Sequence, residues 1–245
     1  MSEESWITNA DITDTEVLLR LTRLAEHAER FTDMAAAMKK VTEKKKLLGN
    51  EEQNLCSTAY KNVVGARRSA WRVISSIKCK DADDEKSPVA ELRRKIEQEL
   101  EDACKEVLTM LDTHLLKDES TPDASVFYHK MKGGYYRYLA EVQTGDKRKE
   151  VVAEARKAYE DATTKANKPL SVTHPIRLGL ALNHSLFYYE IENDSDKACA
   201  LAKKSFDDAM SRLDQIQGDS YKDSTLITQL LRNNLTLWTS ERDPE

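Results

Sequence analysis

Two pairs of basic residues, each with a spacing of seven, are the positions of this chain best suited to bind an anion. Lys61 and Arg68 form one pair, and Lys130 and Arg137, with Tyr138 directly after, form the other. Seven residues are close to two helical turns, so both members of a pair share one helix face, about 10 Å apart. Guanidinium groups and a phenol oxygen match the oxygens of a phosphate dianion. The pairs therefore suggest a phosphate site, although in a chain with 38 Lys and Arg residues such spacing alone is more typical of a solvated surface.

The helix that carries the first pair has two contrasting faces. Lys61, Arg68 and Arg72 share one side with no carboxylate within a turn, whereas an ordinary solvated face mixes both signs of charge. The opposite side is apolar and is predicted to face the core; its residues are Val63, Ala66, Ala70, Val73, Ile74 and Ile77. In the helix of the second pair, Gly134 lies on the line of the cations, where it costs about 1 kcal/mol of helix stability relative to Ala.

Two later helices each carry an asparagine at the edge of an apolar stripe. A carboxamide both donates and accepts, so Asn183 and Asn234 could bond the N–H and C=O groups of an extended peptide. An ordinary hydrogen bond between helices is the more typical role, and both interpretations stay open at this point. The stripes consist of Leu178, Leu182 and Leu186 on the first helix, and of Leu226, Leu230 and Leu237 on the second.

The composition predicts an all-α fold with a buried core. The chain has 245 residues, of which 40% are hydrophobic, with only 7 Gly and 5 Pro, and its apolar residues recur at spacings of three and four. The formal net charge of −5 argues against a general nucleic-acid-binding protein, which needs a basic field. No apolar run approaches eighteen residues, so we expect no membrane insertion.

The cysteines and the first residues predict a reducing compartment. Cys56, Cys79, Cys104 and Cys199 show no close pairing, and the first residues show no leader pattern. A cytoplasmic location, with the nucleus as a further one, fits this pattern.

The sequence offers no candidate for catalysis. Its five histidines lack metal-ligand spacing, and it contains neither a phosphate-binding glycine loop nor a nucleophile elbow. We therefore expect no metal, no cofactor and no enzyme activity.

Helical periodicity and punctuation divide the chain into nine helices. Residues 1–13 form an expected flexible extension, and Thr13 to Glu16 reads as a capping box that opens the first helix. A second helix follows to Gly49, a third covers about 51–79, and a charged loop spans 80–88. The pattern resumes from about 92 to 111, and further helices are predicted near 123–144, 147–167, 175–191, 195–212 and 220–240. We expect one helical domain over 14–240 and a short tail at 241–245.

Four long segments resemble the 14-3-3 family: 60–77, 126–142, 173–191 and 220–240. The resemblance extends from about Val17 to Ser240. It implies nine antiparallel helices in a single layered domain and a cup-shaped homodimer, with pairing to a paralogue left open. It further implies a dimeric adaptor whose groove binds phosphoserine or phosphothreonine peptides, and which clamps, masks or bridges phosphorylated client proteins.

The resemblance assigns roles to individual positions. The phosphate-binding residues fall on Lys61, Arg68, Arg137 and Tyr138, with Lys130 close by. The peptide backbone would be bound by Asn183, Asn234, Glu190 and Trp238. The apolar groove wall would comprise Leu182, Leu186, Leu226, Ile227 and Leu230.

The resemblance also implies a dimer interface. Its apolar positions are Leu24, Ala28, Ala70, Ile74 and Leu92, and ion pairs to the partner subunit are expected from Arg30 to Glu99 and from Asp33 to Lys95. Leu92 and Ala70 stand where relatives commonly have tyrosine and serine. Gly134 and Asn233 replace acids usual near the groove, and the direction of their effect on affinity stays open.

Two other functions are weighed against the adaptor. A phosphate-independent helical scaffold would leave the basic face incidental, and a helical enzyme acting on a phosphorylated metabolite would need an acid, base or nucleophile beside the cations. The missing catalytic motifs make the enzyme the weakest of the three.

Overall fold

The computed structural model describes residues 5–77, 87–117, 121–215 and 218–242. Cys79, most of the predicted charged loop, residues 1–4 and residues 243–245 lie outside the described residues. Within the described ranges all regular structure is helical, which confirms the all-α prediction.

The described residues contain ten α-helices, of which the last nine correspond to the predicted ones. They are α1 Trp6–Asn9, α2 Thr15–His27, α3 Phe31–Lys44, α4 Asn50–Ser76, α5 Pro88–Met110, α6 Pro122–Val142, α7 Gly145–Ala166, α8 Pro175–Glu190, α9 Ser195–Met210 and α10 Asp219–Arg242. A π-helical turn, Leu111–Leu115, extends α5, and a 3₁₀ turn, Leu213–Gln215, follows α9.

Capping side chains and prolines fix where several helices begin. Pro88, Pro122 and Pro175 each stand in a first helical turn, where the N–H that proline lacks would have no partner within the helix. The capping box predicted at Thr13 is wrong by one residue, because Asp14 caps α2 and its Oδ1 accepts from the backbone N–H of Glu16 at 2.8 Å. A carboxylate there also interacts favourably with the helix dipole.

The chain consists of two compact units, 1–118 and 119–245. In unit 1, consecutive helices pack together from α2 to α5, around buried side chains such as Leu18, Met34, Met38 and Tyr60. The segment expected to be a flexible extension differs from that expectation in part. Ile7 is buried, and the Ser5 hydroxyl donates to Asp33 Oδ1 at 2.6 Å.

The apolar face predicted for α4 is not a core face in this chain. Ala66, Ala70, Val73 and Ile77 are exposed, Val73 by 60%, and Ile74 is only half-buried. The buried side of α4 instead uses its first half, including Leu55, Cys56, Ala59, Tyr60 and Val64. Periodicity identified an apolar face correctly, but it cannot tell whether the same chain or another one covers that face.

Unit 2 contains α6 to α10, in which α6 packs along α7, and α8 packs against α9 and α10. One cluster of buried residues centres on Tyr159, Leu180 and Phe187, and a second on Leu178, Leu231 and Trp238. Helix α8 contributes to both clusters, so it fixes the spacing between α6 and α10.

Candidate functional site

Arg137 is the centre of the candidate site in unit 2. Its side chain projects from α6 and is only 5% exposed. Nη1 donates to Glu190 Oε2 on α8 at 2.9 Å and lies 3.6 Å from Glu141 Oε1, one turn along α6. A buried cation is stable only with such partners, so these carboxylates hold Arg137 in its charged form.

The electrostatics around Arg137 keep it ionised. Burial disfavours its charge, but the oxygens of Tyr159, Tyr138, Glu190 and Glu141 together raise the pKa of Arg137 above its ordinary value. The guanidinium is therefore a permanent positive charge in a largely desolvated place, with Glu190 and Glu141 as its counter-charges.

Tyr138 and Lys130 flank Arg137 on α6. The Tyr138 ring lies 4.9 Å from Arg137 Cζ and meets Tyr135 edge to face at 5.6 Å. Lys130 Nζ lies 5.1 Å from the centre of the Phe127 ring, and a Cβ on Gly179 of α8 would be 3.5 Å from that nitrogen. Lys130 Nζ therefore lies close to the backbone of α8 at Gly179.

The other predicted cations belong to unit 1. Lys61 is exposed on α4, Arg68 is half-buried and Arg72 is exposed. The three residues share one face of α4, because they are spaced by seven and by four residues.

The predicted groove wall lies on α8 and α10. Leu182, Leu186 and Asn183 are half-buried on α8, whereas Leu226 and Leu230 are exposed on α10, Leu226 by 62%. Ile227 and Asn234 are half-buried beside them. The two packed helices therefore present apolar side chains and carboxamides that are open to a ligand.

Two residues predicted to bind the peptide backbone have other contacts in the structure. Trp238 is 2% exposed, and its ring stacks on Tyr189 with a centroid distance of 4.7 Å, so it supports the α8–α10 packing. The carboxylate of Glu190 accepts a hydrogen bond from Arg137 Nη1 in their ion pair. Nearby, Gln229 Nε2 donates to Asn233 Oδ1 at 2.8 Å on the exposed side of α10.

Sequence reasoning missed Tyr159 altogether. This tyrosine of α7 is fully buried, and it interacts electrostatically with Arg137. No signal in the sequence indicated this role, because Tyr159 and Arg137 lie on different helices and helical spacing relates only residues of one helix. A second missed feature is Gly133, where a Cβ would come within 2.8 Å of the Tyr159 ring.

The described residues bring no three His, Cys, Asp or Glu side chains together in a metal-binding arrangement. None of the described helices has both the length and the apolar character that a membrane crossing requires.

The described residues thus define an all-helical protein with a buried, carboxylate-paired arginine and an amphipathic surface on α8 and α10. Comparison with known proteins makes this specific. The family model for 14-3-3 proteins matches residues 21–239. The chain is 60% identical over 230 residues to 14-3-3 protein zeta of Bombyx mori, which covers 93% of each chain. It is 56% identical over 234 residues to 14-3-3 protein beta/alpha-B of Xenopus laevis, which covers 95% of this chain and 96% of that one.

The chain therefore belongs to the 14-3-3 family. Membership confirms the predicted function: the chain is a phosphoserine- and phosphothreonine-peptide-binding adaptor, it forms dimers, and it is not an enzyme. Nothing in the comparisons favours the phosphate-independent scaffold.

Proposed function

We propose that Arg137 and Tyr138, together with Lys61 and Arg68, bind the phosphate of the client peptide, with Lys130 as a neighbouring charge. The observation that carries this proposal is the burial of an ionised Arg137 between two carboxylates. Arg137 stays charged there, and its position is fixed before any ligand arrives. Preorganisation of this kind lowers the entropy lost on binding.

The remaining peptide contacts follow from unit 2. Asn183 and Asn234 bond the main chain of an extended peptide, whose phosphate Arg137 binds. The exposed leucines of α10 and the half-buried leucines of α8 form the apolar wall. Apolar contact accepts varied side chains, so phosphorylation and its flanking residues decide which clients bind.

A peptide titration tests this assignment. Charge-assisted hydrogen bonds contribute about 1.5–3 kcal/mol each, so Arg137→Ala weakens a phosphoserine peptide at least about tenfold. Arg156→Ala is the matched control, because Arg156 is also an ion-paired arginine of unit 2, bonded to Glu192 on the surface. Fluorescence anisotropy with a labelled peptide, with and without its phosphate, measures both variants. Equal affinity of Arg137→Ala and the unchanged protein would overturn the assignment.

We propose that the exposed apolar face of unit 1 is the dimer interface. Leu24, Ala28, Ala70 and Leu92 are all exposed in the single chain, and Ile74 is half-buried. A face of this kind is energetically unfavourable in water unless a partner covers it.

The predicted ion pairs between subunits involve residues that already have partners within the chain. Arg30 pairs with Asp33, Glu99 with Arg67, and Lys95 with Glu91. In the proposed dimer, Arg30 pairs with Glu99 of the partner subunit, and Asp33 pairs with Lys95 of the partner subunit. These contacts add to or replace the pairs within one chain.

We further propose a reducing location for the chain, the cytoplasm with the nucleus as a second site. Cys56 is a buried free thiol, and burial raises its pKa to about 12, which keeps the thiol protonated and unreactive.

A further inference from the structure

Two nitrogens of the Arg137 guanidinium differ in their hydrogen-bonding partners. Nη1 contacts the carboxylates of Glu190 and Glu141. Nε of the same group is buried and has no hydrogen-bond partner among the described residues. A buried donor without a partner costs about 1–3 kcal/mol, so Nε of Arg137 is a weak point of the site.

Tyr159 on α7 presents a second unsatisfied group to Arg137. Burial raises the pKa of Tyr159 and Arg137 lowers it in part, with a result of about 12, so the phenol is a neutral O–H donor at neutral pH. Its Oη is buried and, within the described ranges, also lacks a hydrogen-bond partner. Tyr159 and Arg137 thus interact through charge and through a weak side-chain hydrogen bond, whose geometry leaves both Tyr159 Oη and Arg137 Nε without a well-formed partner.

Gly134 accounts for the unsatisfied hydroxyl. A Cβ at this position would lie 4.0 Å from Tyr159 Oη, which is open contact distance. The oxygen of a short polar side chain extends beyond its Cβ and would come within hydrogen-bond range of that hydroxyl. Glycine offers no such oxygen. The ring itself cannot turn away, because it packs directly against the backbone of Gly133.

We propose that Tyr159 is a positioning residue for Arg137, and that the side chain at position 134 sets how firmly Tyr159 holds it. A hydroxyl has one hydrogen and two lone pairs. When an acceptor at position 134 takes the hydrogen, the orientation of the hydroxyl is fixed and Oη becomes a stronger acceptor for Arg137 Nε. The guanidinium is then fixed at both nitrogens. With Gly134 the hydrogen has no acceptor, so the hold on Arg137 is weaker and phosphate binding loses part of its preorganisation.

This inference rests on the proposed role of Arg137 in phosphate binding, and a double-mutant cycle tests it. The variants are Gly134→Asn, Tyr159→Phe and their combination, with Gly134→Ala as the control that adds a Cβ without an acceptor. Asparagine is chosen because it supplies the acceptor without adding charge. Each is titrated with the labelled phosphoserine peptide and with the unphosphorylated one, and its urea midpoint is recorded.

Gly134→Asn is expected to tighten the phosphopeptide about threefold to tenfold, the range of one added hydrogen bond, while Gly134→Ala stays within about twofold of the original. Tyr159→Phe is expected to weaken binding about threefold, with an unchanged or higher urea midpoint, because it removes an unsatisfied buried hydroxyl. If Tyr159 only stabilised the fold, Tyr159→Phe would instead lower the urea midpoint and leave the phosphopeptide affinity unchanged. In the Tyr159→Phe background the benefit of Gly134→Asn disappears.

Two results would overturn the inference. One is equal phosphopeptide affinity of Tyr159→Phe and the original chain; the other is an undiminished benefit of Gly134→Asn in the Tyr159→Phe background. Arg137→Ala separates this failure from a failure of the proposed site. If that variant loses binding while Tyr159→Phe does not, the phosphate assignment holds and only the role of Tyr159 is wrong.

Discussion

Gly133 and Gly134 are neighbours on α6, yet the same substitution should change stability in opposite directions at the two positions. A Cβ at Gly133 would lie 2.8 Å from two ring carbons of Tyr159 and 2.9 Å from a third, whereas a Cβ at Gly134 meets only Tyr159 Oη, at 4.0 Å. The difference arises because the ring carbons of Tyr159 lie against Gly133, whereas only the hydroxyl of Tyr159 lies near Gly134.

The magnitude follows from two opposing contributions. Overpacking costs about 1–3 kcal/mol. The upper end of this range applies at Gly133, because the Tyr159 ring is fully buried and stacks on His184 with a centroid distance of 5.1 Å, so the ring cannot move away from an added methyl group. Alanine recovers about 1 kcal/mol of helix stability over glycine at either position. Gly133→Ala should therefore destabilise the fold by about 2 kcal/mol, and Gly134→Ala should stabilise it by about 1 kcal/mol.

Urea and thermal unfolding at one fixed protein concentration measure both variants, since dimerisation makes stability concentration-dependent. With about 2–4 °C per kcal/mol for a chain of this size, Gly133→Ala should lower Tm by about 4–8 °C and Gly134→Ala should raise it by about 2–4 °C. A Gly133→Ala variant as stable as the original would show that Tyr159 is not clamped against α6. A destabilised Gly134→Ala variant would show that the space beside Oη is not open.

Three further predictions concern pH, phosphate binding and assembly. Burial lowers the pKa of His184 to about 4, so below pH 6.5 the unfolded chain binds a proton that the folded chain does not. The free energy of unfolding should fall by about 2 kcal/mol between pH 7 and pH 5, and His184→Phe should remove most of that fall in urea titrations at the two pH values. Lys61 is exposed, so Lys61→Glu should weaken the binding of a phosphoserine peptide at least about tenfold without lowering Tm. Lys149 is also exposed, and the control variant Lys149→Glu should leave peptide binding unchanged. Unchanged binding by Lys61→Glu would show that Lys61 is not part of the site. Leu24→Glu should shift the dimer toward monomer in sedimentation experiments. The control variant Met210→Glu, at an equally exposed apolar position of unit 2, should leave the protein dimeric. A dimeric Leu24→Glu variant would contradict the proposed interface.

Local signals in the sequence were sufficient to predict most helix boundaries. Pro122 and Pro175 mark the first turns of α6 and α8, because proline fits where no intrahelical hydrogen bond is lost. The short helix α1 was missed, since four residues are too few to show a period. What buries Ile7 there is tertiary contact with the rest of unit 1 and not helix propensity.

The exposed face of α4 shows the limit of periodicity. Ala70, Val73 and Ile77 form an apolar side at helical spacing, and such a side is normally a core side. Among the residues that the structure describes, no side chain covers this face, and the dimer interface proposed above offers a reason.

Residue types and local spacings were enough to predict the all-α class, the positions of nine helices, the family and the basic residues on α4 and α6. These depend on residue type and on spacings of three, four and seven, which relate residues within a few turns of one helix. Tertiary structure decided what surrounds Arg137. Its ion pair with Glu190 joins residues 53 positions apart, and Tyr159 reaches it from another helix. No local pattern relates such residues, because only the packing of α6, α7 and α8 brings them together. That packing turns an arginine with favourable spacing into a buried, charged and oriented one.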